Sequence, residues 1–225
     1  MLMFGRLAFA GLALMAMTVG AQAQDATFFT VTYVEAAPAS ANAALPILKA
    51  YRDAGRKDDG AVRFELLRGI SRPNQFTVIG AWKDQKAFEA HAAAAHSKQM
   101  SEKITPLLAA PNDTRQHNAL SVAAAQAGKG GVYAVTHVDV IPPQKDNGVA
   151  AVKQLSEDSR KHAGNLRFDL LQQTNRPNHF TVVEGWKDRK AFDAHVAAAQ
   201  TKDFRNKLIT MTGALYDERL YQPID

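Results

Sequence analysis

The chain has 225 residues, a formal net charge of +5 and no cysteine. Without a thiol it has no disulfide, no thiolate nucleophile, no cysteine-held iron–sulfur cluster and no zinc site built on thiolates. Its lysines and arginines alternate with acids (Lys83-Asp84, Lys187-Asp188, Asp217-Glu218-Arg219) and form no basic block, so the charge serves solubility and no nucleic-acid partner is expected.

Residues 1–23 read as an export signal. Arg6 supplies the positive start, Leu7 to Val19 the apolar core, and Ala21-Gln22-Ala23 a small-x-small cleavage site. The apolar run is shorter than the ~20 residues that span a bilayer, and polar Gln22, Gln24 and Asp25 follow at once. Cleavage after Ala23 is expected, leaving a periplasmic or secreted protein without a stable membrane span.

Phe28 to Val34 is rich in Phe, Thr, Val and Tyr and predicts a strand, which Pro38 stops. Asn42 to Arg56 predicts a helix, with Leu45, Leu48 and Tyr51 at helical spacing, and Gly60 suits the turn that follows. A hairpin comes next: Arg63 to Arg68, the turn Ser71-Arg72-Pro73-Asn74, then Gln75 to Trp82. Pro fixes φ in that turn and Asn tolerates tight geometry. Asp84 is placed to cap a second helix, Asp84 to His96. A short helical piece, Ser101 to Leu108, leads to a last strand at Pro111 to His117.

The chain then repeats itself, offset by 104 residues from Arg63 to Arg167 without a gap. Arg63-Phe64-Glu65-Leu66-Leu67 returns as Arg167-Phe168-Asp169-Leu170-Leu171. Arg72-Pro73-Asn74 returns as Arg176-Pro177-Asn178, and Trp82-Lys83-Asp84 as Trp186-Lys187-Asp188. Strand Val132 to Val140, helix Asp146 to Lys161, turn Gly164 and strand Leu215 to Tyr221 complete the second copy. A period this long exceeds the ~20–50 residues of a solenoid unit and is enough for a small domain. The expected domains are 27–117 and 132–225, joined by an Ala-, Gly-, Ser- and Gln-rich linker at 118–131.

Each copy has the order β-α-β-β-α-β. This is the ferredoxin-like α+β arrangement, a four-stranded antiparallel sheet with helices on one face. The other face needs a cover, and the second copy is the natural one. The two halves would close within the chain as a pseudo-dimer, or exchange with a second chain as a homodimer.

Phe180, Val182, Glu184 and Trp186 share one strand face by period-two alternation, as do Phe76, Val78, Gly80 and Trp82. Phe192 and His195, like Phe88 and His91, are three apart on the following helix and share its apolar side. On residue chemistry alone, each His is a partly buried group bonded to backbone and each Trp fills space. The run Phe-x-Val-x-Glu-x-Trp-Lys-Asp-x-x-Ala-Phe-x-x-His, Phe180 to His195, resembles the antibiotic biosynthesis monooxygenase domain of the dimeric α/β-barrel superfamily, once per repeat. The resemblance implies a barrel and two readings of its function. One is an oxygenase acting with O₂ on a small aromatic or quinol substrate without metal or flavin; the other is a ligand-binding or stress-related barrel.

The oxygenase reading implies catalytic roles for His195, Glu184 and His91. It implies substrate contacts for Trp186, Trp82, Arg167, Arg63, Phe180 and Phe192. Trp186 would wall an aromatic ring, His195 would take the phenol proton, Glu184 would orient the imidazole or serve as the base, and Arg167 would pair with the phenolate. The first copy has Gly80 where the second has Glu184, so acid–base chemistry is expected to lean on the second. Haem-degrading members carry an Asn on the first strand; Val31-Thr32-Tyr33 and Val135-Thr136-His137 lack it, so haem is not expected.

Overall fold

The computed structural model describes residues 28–122 and 131–225. The proposed signal and its cleavage site lie outside these residues. In the first half, β1 (Phe28–Glu35) leads to α1 (Ala41–Gly55), the hairpin β2 (Ala61–Gly69) and β3 (Gln75–Trp82), then α2 (Gln85–Ala93), α3 (Ala95–Ile104) and β4 (Asp113–Ser121). The second half repeats this as β5 (Val132–Asp139), α4 (Lys145–Ser159), β6 (Asn165–Gln173), β7 (His179–Trp186), α5 (Arg189–Ala197), α6 (Ala199–Ile209) and β8 (Asp217–Pro223). Among the described residues, no helix is long and apolar enough to cross a membrane.

Several expected boundaries move, two of them with consequences for the fold. β4 runs to Ser121, so 118–121 are strand rather than linker, held by Phe28↔Asn118 pairing on one side and Asn118↔Gln172 on the other. Composition misplaced this end because Asn118, Ser121 and their neighbours are poor strand formers that cross-strand hydrogen bonds nevertheless recruit. The helix expected over Asp84 to His96 is interrupted at Ala94, whose ψ of 153° is extended. Its N–H bonds the carbonyl of His91 and Ser97 Oγ donates to the same oxygen, closing one helix and opening the next.

Within each half the strands lie in ferredoxin-like order, β4-β1-β3-β2. The two sheets do more than stack: β2 pairs with β8 and β4 with β6, both antiparallel, so eight strands close as one barrel, β1-β3-β2-β8-β5-β7-β6-β4. Closure removes every unpaired edge. Gly60 and Gly164 sit at φ of 82° and 83°, the left-handed region that favours glycine, at the turn into β2 and β6.

Alternation assigns the two faces. Phe29, Val31, Leu67, Ile79 and Ala81 from the first half meet Val135, Leu171, Val183 and Tyr221 from the second inside the barrel. Outside it, each half has its own helix-covered core: Leu48, Phe64, Phe76, Val78 and Trp82 in the first, and Val152, Phe168, Phe180, Val182 and Trp186 in the second. A bulge at Ala61/Arg63, and its copy at Asn165/Arg167, sets the parity so that Phe64 and Phe168 face the helices while Arg63 and Arg167 face inward.

These arginines meet two acids inside the barrel. Arg63 donates to Asp169 at 2.8 Å, and Arg167 to Glu65 and Asp169 at 2.5 Å each. Arg167 and Asp169 are almost fully buried, whereas Glu65 is 21% exposed. Burial alone would raise Glu65, but Arg167 and Arg63 outweigh it and hold its carboxyl below the ordinary value.

Removing Asp169 leaves buried guanidinium charge uncompensated, so Asp169→Ala is expected to lower stability by about 3–5 kcal/mol in urea unfolding. Glu65→Ala is expected to lower it less, because water reaches Glu65. A carboxyl depressed on folding stabilises fully above its ordinary value, 4.5 for Glu65, and loses that contribution as pH falls through its folded value. Denaturation midpoints should therefore drop below about pH 4.5, and the drop should be smaller in Glu65→Gln.

Candidate functional site

In the second half, β7 presents Glu184 and Trp186 to the helix layer, and α5 brings His195 down on them. Asp188 caps α5 by accepting the Ala191 N–H at 2.8 Å, which sets where the helix starts after the strand. The Trp186 and His195 rings stack at 4.6 Å with 25° between planes. Trp186 Nε1 donates to Glu184 Oε2 at 2.9 Å, and His195 Nε2 lies 3.6 Å from the same oxygen. Behind His195, its Nδ1 is 3.3 Å from His162 Nδ1, and His162 is held in turn by Gln200.

Burial raises the Glu184 carboxyl to about 8; Glu218 adds to the shift, while the Trp186 N–H and Arg205 oppose it. Burial also lowers His195 to about 3, helped by the nearby His162 and Arg205. At neutral pH this is an uncharged carboxylic acid beside an uncharged imidazole. Glu184 is the one of the two whose proton exchanges near the physiological range.

The first half uses the same positions differently. Trp82 Nε1 donates to Thr30 Oγ1 at 3.1 Å, and a Cβ on Gly80 would lie 2.5 Å from that nitrogen and 2.6 Å from Thr30 Oγ1. In the second half Ala134 stands in place of Thr30 and Glu184 in place of Gly80, and each pair is directly opposed across its strands. The indole partner therefore comes from one strand in one half and from its neighbour in the other. His91 packs on Trp82 at 4.5 Å, with Asp58 Oδ2 2.6 Å from Nδ1 and Tyr51 Oη 2.7 Å from Nε2. With Asp58 accepting from Nδ1–H, Nε2 is left to accept from the tyrosine hydroxyl. Burial lowers the His91 pKa, against the opposing pull of Asp58.

Trp186, Glu184 and His195 thus come together, as do Trp82 and His91. Phe192 is buried in the same core as Trp186. Phe180 does not reach this place: six residues along β7 put it about 20 Å from Trp186, near Gly148 at the start of α4. Arg63 and Arg167 are on the opposite face, inside the barrel and engaged with Glu65 and Asp169, so neither is placed to meet a phenolate beside Trp186. The bulge and the strand alternation put them there.

The cation near Glu184 is Arg205 on α6, which sequence reading did not single out. Arg205 donates to Glu218 at 2.9 Å and lies over the Tyr216 ring at 5.1 Å. With Leu208, Thr212 and Leu215, Arg205 and Tyr216 line an apolar groove of about 540 Å³. Asp58, His91 and His96 were also not linked by the sequence; their donor atoms lie close enough to share a metal ion. The differences between copies were the available signal: Tyr51/Leu155, Asp58/His162 and His96/Gln200 are chemical changes at matched positions.

Two ferredoxin-like units closing one barrel, each with a Trp–His pair under its helices, define a pseudo-dimeric α/β barrel carried on a single chain. The sequence profile of the family "Antibiotic biosynthesis monooxygenase" matches residues 27–103 and 131–207, and the chain belongs to that family. It is 28% identical over 68 residues to "Putative monooxygenase YcnE" of Bacillus subtilis (strain 168), a match covering 30% of this chain and 72% of the relative. A "Putative monooxygenase" structure from Fusobacterium nucleatum subsp. nucleatum ATCC 25586 is similar, with a TM-score of 0.78 and 17% identity over 89% of this chain and 93% of that one. Another from Lactobacillus acidophilus NCFM gives a TM-score of 0.71 and 14% identity over 88% and 94%. These structural likenesses concern the fold.

A carboxyl raised on folding lowers stability progressively as pH climbs from its ordinary value to its folded one. For Glu184 that window runs from 4.5 to about 8. Wild-type stability is expected to fall across it, and Glu184→Gln should flatten the decline in pH-resolved thermal denaturation.

Proposed function

We propose that the second half carries a cofactor-independent monooxygenase site for a small aromatic quinol. The observation that carries this reading is Glu184, a buried carboxyl with its pKa at about 8, bonded to Trp186 beside an apolar groove. Two wall residues of the groove, Arg205 and Tyr216, interact with Glu184 through charge, which supports approach of a substrate from that side. Family membership supports the reaction class.

The carboxylate of Glu184 takes a phenolic proton, a role suited to a base with a pKa near the operating pH. Arg205 stabilises the phenolate, and Trp186 with His195 holds the carboxylate in place. The phenolate gives one electron to O₂, and the two radicals join at a ring carbon. Loss of water then yields a hydroxyquinone: one oxygen atom enters the ring, the other leaves as water, and the quinol supplies all four electrons. No metal, flavin or haem takes part. The export signal proposed for residues 1–23 places this reaction outside the cytoplasm.

A second reading is favoured by the burial of the site, where Glu184, Trp186 and His195 are 2%, 0% and 3% exposed. It is a barrel that binds a ligand without turnover.

Oxygen uptake with a quinol panel and no added cofactor separates the two. The oxygenase is expected to consume O₂ at a rate rising with pH toward about 8 as Glu184 ionises. Glu184→Gln and His195→Ala should each lower the rate by ~100-fold, the scale of a lost general base or its support, with His91→Ala costing less. Quinol binding without O₂ uptake establishes the second reading.

A further inference from the structure

The first half contains a group of side chains that the reaction above does not use. Asp58, in the turn after α1, places Oδ2 2.6 Å from His91 Nδ1 and 3.1 Å from His96 Nε2, and the two nitrogens are 3.3 Å apart. On an unbroken helix, residues five apart point well away from each other. The break at Ala94 turns His96 back toward His91, and Ser97 Oγ holds it by donating to the His91 carbonyl at 2.6 Å. A His91–Asp58 hydrogen bond alone does not call for a second imidazole on the same carboxylate oxygen.

We propose that Asp58, His91 and His96 bind one divalent first-row transition-metal ion through a carboxylate oxygen and two imidazole nitrogens. Ligands 2.0–2.1 Å from a common ion, at angles from octahedral to tetrahedral, lie about 2.9–3.4 Å apart. Two of the three separations already fall in that range. The third opens by a few tenths of an ångström through Asp58, whose side chain is 22% exposed and can turn.

The surroundings have the form of an outer shell. His91 is fixed between Trp82 and the edge of Phe64, at 4.5 and 4.9 Å. When Nδ1 binds an ion, Nε2–H donates to Tyr51 Oη, the second hydrogen bond that orients a ligating imidazole. Tyr51 and His96 also line a groove of about 380 Å³ between α1 and α3, so the cluster borders a solvent-filled space on its His96 side. Two imidazoles and a carboxylate suit Zn²⁺, Fe²⁺ or Cu²⁺, with Cu²⁺ and Zn²⁺ bound more tightly than Fe²⁺.

The second half is a control built into the same chain. Its matched positions are His162, His195 and Gln200, with Leu155 in place of Tyr51, so none of them supplies a carboxylate; Glu184 lies by His195 Nε2, whereas His162 faces Nδ1. One ion per chain is expected.

The test uses the full chain stripped of metal and titrated with Zn²⁺ by calorimetry, and with Co²⁺ by visible absorption. Expected are one Zn²⁺ per chain, a Co²⁺ ligand-field spectrum and a metal-dependent rise in Tm. Tyr51→Phe should weaken Zn²⁺ binding by roughly 10–100-fold, the cost of an outer-shell partner, and Asp58→Asn or His96→Gln by more. His96→Gln installs the residue of the second half at a part-exposed position and should leave metal-free Tm nearly unchanged; Asp58→Asn is the second, independent variant. Absence of specific binding, or wild-type affinity retained in both variants, overturns the proposal. So does loss of the ion on His162→Ala instead. The readout is binding, so failure of quinol oxidation leaves it intact, and failure of metal binding leaves the second-half reaction untouched.

Discussion

A sheet that is apolar on the face away from its helices cannot leave that face in water, and this constraint organises the protein. Each half covers the inner face of the other, and the two sheets also join at both edges through β2–β8 and β4–β6. Across the barrel interior, Arg63 meets Asp169 and Arg167 meets Glu65, a symmetric exchange between matched positions of the two copies. The buried charges of Arg167 and Asp169 are tolerable only when paired, and the first half supplies one partner to each, Glu65 and Arg63. A further contact between the halves supports closure: His117 Nε2 and Thr181 Oγ1 are 2.9 Å apart in the buried interior.

Carrying both halves on one chain lets them diverge. In a barrel of two identical chains, a substitution appears on both sides at once. Here the Thr30–Gly80 pair of one half corresponds to Ala134–Glu184 in the other, and each supplies one acceptor for the indole N–H of its Trp. The two solutions exclude each other locally. A side chain at Gly80 would collide with Thr30 and Trp82, whereas Ala134 leaves room for Glu184. The outcome is a dry carboxyl under the helices of the second half. In the first half, the polar groups gather instead at the helix ends, around His91.

The break between the two short helices of each half has similar leverage. Ala94 and Ala198 are extended at the same point, and each N–H bonds the carbonyl of the preceding histidine, His91 or His195. The break brings His96 back to His91 in one half and Gln200 to His162, the neighbour of His195, in the other. One backbone device thus gives two chemistries.

The sequence by itself determined the repeat, the βαββαβ order, the hairpin turns and the capping aspartates, because these depend on short-range periodicity, turn chemistry and self-similarity; the barrel class came through the family resemblance of the Trp–His run. It also determined that Glu184 and Trp186 share a strand face and that His195 belongs to the helix after it. The tertiary structure decided which face of each strand looks inward. That choice removed Arg63 and Arg167 from the Trp–His pockets and placed Arg205 near Glu184, since strand alternation says two faces exist but only packing says what each one meets. It also decided the helix break at Ala94 and with it the meeting of Asp58, His91 and His96. Residues separated by a turn, a helix and a break converge only when the chain packs, and no local pattern records that distance.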